Sequence, residues 1–205
     1  MKVKICGLST AEQVKTSINH GANFCGFILN YPKSHRFIDF EKAKKLTNIK
    51  KKKTKYVGVL VEPKDDELEK FSKLNIDYFQ IYGEYTRDDI KNIKGKFNKK
   101  IIMALQIKSE EDVLKYKIYE NEADILFDSS GLEKSLSWNF DWIKAVPIPK
   151  MIAGNIQIQD LEKINKMTDI VVDVSGAVET ERKKDLTKIK EFLLKVKEIN
   201  ENRTI

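Results

Sequence analysis

The chain predicts an α/β fold, a (β/α)8 TIM barrel formed as one domain over residues 1–205. Three observations predict it. Eight short β-like runs alternate with eight amphipathic helical stretches. The runs begin at residues 3, 24, 56, 77, 100, 124, 150 and 170, one strand–helix unit every 20 to 32 positions. No Pro/Gly-rich linker divides the chain, and no Gly-x-Gly-x-x-Gly follows a strand, which disfavours an open doubly wound sheet of the dinucleotide-binding kind. Strands alternating with helices pair in parallel through right-handed crossovers, and eight such units close a barrel.

Each element has a local reason. Strand 1 is expected over 3–6, where Val, Lys, Ile and Cys follow without a breaker. Ser9-Thr10 caps a helix over 10–20 that Gly21 ends. Strand 2 covers 24–29, and a helix follows over 40–46. The lysine run at 50–53 reads as a solvated connection into strand 3, 56–61, with a helix over 65–74 behind it. Strand 4 (77–81) leads to a helix over 88–93, and strand 5 (100–106) to one over 109–116. That helix opens Ser-Glu-Glu-Asp, with acids in the turn where the helix dipole favours them. Strand 6 (124–128) precedes a helix over 140–145, strand 7 (150–153) one over 158–167, and strand 8 (170–173) the last, over 186–199. In the last, Leu186, Ile189, Phe192, Leu193 and Val196 recur at helical spacing.

Composition removes several function classes. Apolar residues make up 41% and charged residues 34%, so the chain is not a disordered one. Uninterrupted apolar runs reach about five residues against the ~20 of a membrane helix, so no membrane partner is expected. The opening Met-Lys-Val-Lys-Ile-Cys-Gly is a strand pattern without a signal-peptide core, and the expected location is cytoplasmic. Net charge is +7, yet of 38 basic residues only Arg36, Arg87, Arg182 and Arg203 are arginine. A lysine bias spread over the surface differs from the arginine and aromatic interleaving of a nucleic-acid face, so no nucleic-acid partner is expected. Cys6 and Cys25 alone form neither a disulfide framework nor a metal site.

Active sites of such barrels lie at the C-terminal ends of the strands. That rule selects Cys6-Gly7 after strand 1, the loop with Ser34, His35 and Arg36 after strand 2, and Gln80-Ile81-Tyr82-Gly83 at strand 4. It adds Asp128 at strand 6, Gly154-Asn155 at strand 7 and Ser175-Gly176-Ala177 at strand 8. A thiol works as a general base once nearby positive charge lowers its pKa. A buried carboxylic acid donates a proton. Arginine grips a planar carboxylate with a two-point fork, and backbone N–H groups at turns entering helices hold phosphate. Together these suggest acid–base work on a small, anionic, phosphorylated molecule. Taken singly, the residues have plainer readings. Cys25 inside strand 2 is core, His20 sits at a helix C-terminus, His35 is loop surface, and Trp138 and Trp142 pack against the barrel.

The chain also resembles phosphoribosylanthranilate isomerases of tryptophan biosynthesis, from end to end. The resemblance rests on Lys4-Ile5-Cys6-Gly7, Gly21-Ala22-Asn23-Phe24-Cys25-Gly26-Phe27, Ser34-His35-Arg36-Phe37-Ile38 and Gln80-Ile81-Tyr82-Gly83. Leu126-Phe127-Asp128, Ile152-Ala153-Gly154-Asn155, and Asp173-Val174-Ser175-Gly176-Ala177-Val178-Glu179 with Lys184-Asp185 continue it in order. It implies a (β/α)8 barrel and an Amadori rearrangement with neither metal nor organic cofactor. By that pattern Asp128 is the general acid and Cys6 the general base. Arg36 holds the anthranilate carboxylate, with Gln80 and Tyr82 also at the substrate. Gly154, Asn155, Ser175, Gly176 and Ala177 hold the phosphate. The chain departs from the family at Tyr82, where a histidine is usual, and at Ser175-Gly176-Ala177 in place of Ser-Ser-Gly. The usual glycine-rich segment after strand 6 becomes Lys134-Ser135-Leu136-Ser137-Trp138, with Gly131 nearby. Asn155 stands for a second glycine, and asparagine tolerates positive φ best of the other residues. The competing reading is a non-catalytic or altered-specificity phosphate-binding barrel. Monomer and homodimer both stay open, because helix faces that pack on a barrel or on a partner look alike.

Overall fold

The computed structural model describes residues 1–129 and 136–202. Its eight strands are β1 (Lys2–Ile5), β2 (Phe24–Ile28), β3 (Lys55–Val61), β4 (Tyr78–Tyr82), β5 (Lys100–Ile107), β6 (Asp124–Ser129), β7 (Lys150–Ile152) and β8 (Ile170–Val174). They pair in parallel, in chain order, and β8 closes onto β1 from Lys2↔Val171 to Ile5↔Val174. This is the closed (β/α)8 barrel that the alternation predicts.

Side chains alternate across each strand, and the alternation separates two layers. Val3, Ile5, Cys25, Phe27, Phe79, Ile81, Ile125, Phe127, Ile170 and Val172 face outward into the layer shared with the helices. Cys6, Val57, Val59, Tyr78, Ile102, Ala104, Leu126, Met151 and Ala153 form a separate interior cluster. Cys25, fully buried in the outer layer, is core as expected. Lys4, Gln80 and Asp173 are buried polar residues at inward positions of the same alternation. Lys4 and Asp173 are register partners on neighbouring strands, and Lys4 Nζ lies 2.7 Å from Asp173 Oδ2.

The helices are α1 (Ala11–Asn19), α2 (Phe40–Thr47), α3 (Asp65–Ser72), α4 (Arg87–Phe97), α5 (Glu110–Val113), α6 (Tyr116–Tyr119), α7 (Leu161–Ile164) and α8 (Leu186–Asn202). Thr10 caps α1 in a capping box: its hydroxyl accepts from the Gln13 N–H, and the Gln13 side-chain Oε1 accepts from the Thr10 N–H. His20 Nδ1 lies 2.9 Å from the Thr16 carbonyl oxygen at the other end.

Three expected helices are shorter than predicted. The stretch 109–116 divides into α5 and α6, each one turn long. The stretch 140–145 is a single 3-10 turn, Phe140–Ile143, because Pro147 and Pro149 follow and remove helical N–H donors. The stretch 158–167 is a 3-10 turn, Ile158–Asp160, running into the one-turn α7, with the Asp160 carboxylate accepting the Gln157 N–H at 2.8 Å. A short hairpin, β9 (Glu179–Thr180) with β10 (Lys183–Lys184), enters between β8 and α8 without a counterpart in the sequence reading. Its turn residues Glu181 and Arg182 both take positive φ, as tight two-residue hairpin turns require. Among the described residues, no helix is long and apolar enough to cross a membrane.

Candidate active site

The ten residues to which the resemblance gives site roles line one cleft: Cys6, Arg36, Gln80, Tyr82, Asp128, Gly154, Asn155, Ser175, Gly176 and Ala177. Strand periodicity delivers them. Cys6 lies two positions past inward Lys4, Tyr82 two past Gln80, and Asp128 two past Leu126. Ile28, Val59, Val61, Ile156 and Val174 supply apolar wall between the polar groups. Gly131, Lys134 and Ser135, noted as departures after strand 6, lie outside the described residues.

Asp128 is held on both carboxyl oxygens. The Ser129 N–H donates to Oδ1 at 2.7 Å, and the Tyr82 hydroxyl donates to Oδ2 at 2.7 Å. Gln80 Nε2 in turn donates to Tyr82 Oη at 3.1 Å. Burial pushes the Asp128 carboxyl up to about 6, with the Tyr82 bond opposing it. Burial, and then the Asp128 charge, pushes the Tyr82 phenol well above 10.

The Cys6 thiol differs from expectation. Burial pushes it above its ordinary value, and the opposing charge of Lys4 does not reverse this. The expected lowering by positive charge is present, from Lys4 and Lys184, but burial outweighs it. Lys4 is itself held charged: burial works against the ammonium, but Asp173 and Cys6 more than offset it. Gly26 makes this arrangement possible. A Cβ there would come within 2.9 Å of Cys6 Sγ and 3.2 Å of Lys4 Nζ.

Arg36 is not a loose surface arginine. Its Nε donates to Glu179 Oε1 at 2.6 Å and its Nη2 to Glu179 Oε2 at 2.9 Å, so two of its five N–H donors are committed within the protein. Gly7, at φ +77°, lets the Arg36 chain cross: a Cβ there would lie 2.5 Å from Arg36 Cδ. Glu179 also takes a close contact from Lys184, whose Nζ bonds the Ser175 carbonyl oxygen and hydroxyl at 3.0 Å each. Burial disfavours the Glu179 charge, yet Arg36 and Lys184 hold its carboxyl at about 2. Burial lowers Lys184 to about 8. His35, expected as plain loop surface, faces Glu179 at 3.4 Å and Arg182 at 3.2 Å.

The two glycine-poor loops are built from other parts. Asn155 takes φ 49°, the left-handed conformation anticipated for it. Its Nδ2 donates to Ser137 Oγ at 3.0 Å, and Trp138 Nε1 donates to the Ala153 carbonyl oxygen at 2.7 Å, locking the strand-7 end. Trp138 stacks edge-on against Phe140 at 4.8 Å, the packing role expected of it. Ser175 Oγ donates to the Cys6 carbonyl oxygen at 3.0 Å and ties the strand-8 loop to strand 1.

Sequence reasoning assigned no role to Lys4, Asp173, Glu179 or Lys184. A signal existed for the first two. A lysine inside Val-Lys-Ile and an aspartate inside Val-Val-Asp-Val occupy inward positions of otherwise apolar strands, where a lone charge is costly and a pair is required. Among the described residues, no group of three or more His, Cys, Asp or Glu is placed to hold a metal ion.

A thiol, a raised carboxyl and an arginine on the C-terminal rim of a closed (β/α)8 barrel mark the acid–base enzymes of this fold. Residues 3–195 match the family described as N-(5'phosphoribosyl)anthranilate (PRA) isomerase. The chain belongs to this family. It is 36% identical over 201 residues to an N-(5'-phosphoribosyl)anthranilate isomerase of Streptococcus mutans serotype c, covering 96% of this chain and 98% of the relative. A relative of the same name from Thermoanaerobacter pseudethanolicus is 34% identical over 207 residues, covering 97% and 99%. Among solved structures, the phosphoribosyl anthranilate isomerase of Thermotoga maritima superposes with a TM-score of 0.85 at 27% identity, covering 97% of this chain and 99% of that one. An isomerase in complex with reduced 1-(o-carboxyphenylamino)-1-deoxyribulose 5-phosphate superposes with a TM-score of 0.81 at 27% identity, with the same coverage.

Proposed function

We propose that the rim cleft performs the family's Amadori rearrangement with Asp128 as acid and Cys6 as base. The chain is an isomerase of tryptophan biosynthesis, converting N-(5-phosphoribosyl)anthranilate to 1-(2-carboxyphenylamino)-1-deoxyribulose 5-phosphate. The observation that carries the assignment of roles is the convergence of Asp128, Cys6 and Arg36 on one cleft with the loops after β7 and β8.

The steps follow from the chemistry of these groups. Asp128 gives its proton to the furanose ring oxygen as the C1–O bond breaks. The anthranilate nitrogen lone pair forms the C1=N bond of a protonated Schiff base. Cys6, as thiolate, removes the C2 proton, and the electron pair of that C–H bond becomes the C1=C2 bond of an enolamine. Tautomerisation at C2–OH and C1 gives the ketone. Arg36 holds the substrate carboxylate with the donors that Glu179 leaves available. Gln80 and Tyr82 lie at the reacting end. Backbone and side-chain groups of Gly154, Asn155, Ser175, Gly176 and Ala177 take the phosphate. Chemistry needs the carboxyl protonated and the thiol ionised together, although the carboxyl is the stronger acid of the two. The working form is thus the minor tautomer of a pair that shares one proton.

The reading extends to context. The chain acts as a single barrel, in the cytoplasm, on a phosphorylated small molecule, as a monomer or a homodimer. Monomers of a dimeric isomerase from Thermotoga maritima superpose on it with a TM-score of 0.84 at 25% identity, so both states have precedent in the fold. The test follows the fluorescence of freshly generated phosphoribosylanthranilate with the wild type and Asp128→Asn side by side. Rapid decay with the wild type and decay slowed by at least ~10² with the variant are expected. Equal decay in the two removes Asp128 from the mechanism.

A further inference from the structure

We propose that Tyr82 is the positioning residue of the acid, and that Gln80 and Tyr82 form a brace which fixes the orientation of the Asp128 carboxyl. The inference rests on the reading of Asp128 as the acid. It concerns a residue at which this chain departs from the histidine usual in the sequences it resembles.

The geometry is a directed chain of hydrogen bonds. A phenol has one proton to donate. Gln80 Nε2, itself a donor, points at Tyr82 Oη at 3.1 Å, so the phenolic proton goes to the carboxylate, 2.7 Å away. Gln80 and Tyr82 are two residues apart on β4, so strand alternation turns both into the barrel mouth together. β4 and β6 are not neighbours; β5 stands between them, and the Tyr82 side chain spans that gap. The Ser129 N–H, from β6 itself, holds the other carboxyl oxygen at 2.7 Å. Two donors arriving from different strands fix the plane of the carboxyl and leave only defined lone pairs for a proton aimed at substrate.

The charged and titratable groups acting on this carboxyl are Tyr82 from β4, Lys4 from β1 and Asp173 from β8, with Cys6, just past β1, acting on the Tyr82 phenol. Burial raises the carboxyl, and the Tyr82 bond is the largest influence opposing it. Without the phenolic proton, burial and the Asp173 charge act against Lys4 and the Ser129 N–H alone. The carboxyl then keeps its proton to higher pH, but without the orientation that makes the proton useful.

The experiment is Tyr82→Phe, which keeps the ring and removes only the hydroxyl. The titration of the Asp128 carboxyl is followed by 13C NMR, alongside kcat and KM for phosphoribosylanthranilate. The midpoint is expected to move upward from about 6 by about one pH unit or more, since a bond to a charged group is being removed. Turnover is expected to fall about tenfold or more, with KM changed less than about threefold, as for lost orientation of a reacting group. Gln80→Leu leaves the phenol in place and is expected to move the same midpoint upward by less. It stands in if Tyr82→Phe does not fold. An unmoved midpoint in both variants, beside an inactive Asp128→Asn, overturns the brace and leaves the acid in place. Wild-type turnover by Asp128→Asn overturns the acid reading and the brace's role with it.

Discussion

Inverted protonation of the catalytic pair makes a specific claim about pH. The Asp128 carboxyl sits at about 6, while the Cys6 thiol lies above its ordinary 9.0. The carboxyl is the stronger acid of the two, so the working arrangement is the minor one in the free enzyme. Its fraction stays constant between the two values, because gaining or losing the shared proton is what ends it. Wild-type kcat/KM should therefore rise tenfold per pH unit up to about 6, stay level, and fall only above 9. The acid limb belongs to Asp128 even though Asp128 works protonated. Asp128→Asn changes the shape as well as the height. With no carboxyl to share the proton, the residual rate follows thiol ionisation alone and climbs steadily where the wild type is level. The substrate's own phosphate ionises near 6 and is unchanged in the variant, so any limb it causes appears in both proteins. The assay is initial rate of fluorescence loss across pH 5–10, with substrate well below KM. A level region surviving in Asp128→Asn, or a wild-type acid limb at the ordinary carboxylate value, refutes the reasoning.

Other outcomes follow from the same geometry. Arg36→Met should chiefly raise KM, by about tenfold or more, because it removes a charged fork from the carboxylate end, with a smaller effect on kcat; steady-state kinetics decides. Lys4→Met strands the Asp173 carboxylate, whose side chain is only 5% exposed. It should cost about 3–5 kcal/mol in urea unfolding, and Asp173→Asn added to it should recover part of the loss. Gly26→Ala pushes a methyl to within 2.9 Å of Cys6 Sγ. It should cost about 1–3 kcal/mol by overpacking and depress turnover more than it depresses the melting temperature.

The fold was readable because the barrel's rule is periodic. Runs such as Val57–Val61 and Ile101–Leu105 announce strands wherever they fall, and each strand of the barrel begins within one residue of its expected place. Short helices were less readable. The difference between one turn and three depends on what packs over it, as at 140–145, where the prolines at 147 and 149 outweigh an apolar pattern. The strand-end rule reached the ten site residues, together with others such as Gly7 and Ile81 that do not line the cleft, because it asks only for position. It was blind to partnership. Nothing local in Ser-His-Arg-Phe says that Glu179, 143 residues away, will take half the arginine's fork. Nothing near Cys6 says that burial will exceed the pull of Lys4, since the thiol is buried among residues from distant strands and the Lys4–Asp173 pair comes from strand 8 closing on strand 1.

That closure has a temporal side. Lys4 and Asp173 are 169 residues apart, as are Cys6 and the Ser175 hydroxyl that bonds its carbonyl oxygen. A growing chain makes its interior lysine 169 residues before the carboxylate that partners it. Until β8 is in place the lysine cannot enter the barrel without a bare charge. The early strands therefore cannot settle into their final arrangement by themselves. Fragments ending before residue 170 should not be weak enzymes in proportion to their length; they should lack the site altogether. For the same reason, circularly permuted chains that bring β8 and β1 together early should acquire the ion pair sooner than the natural order allows.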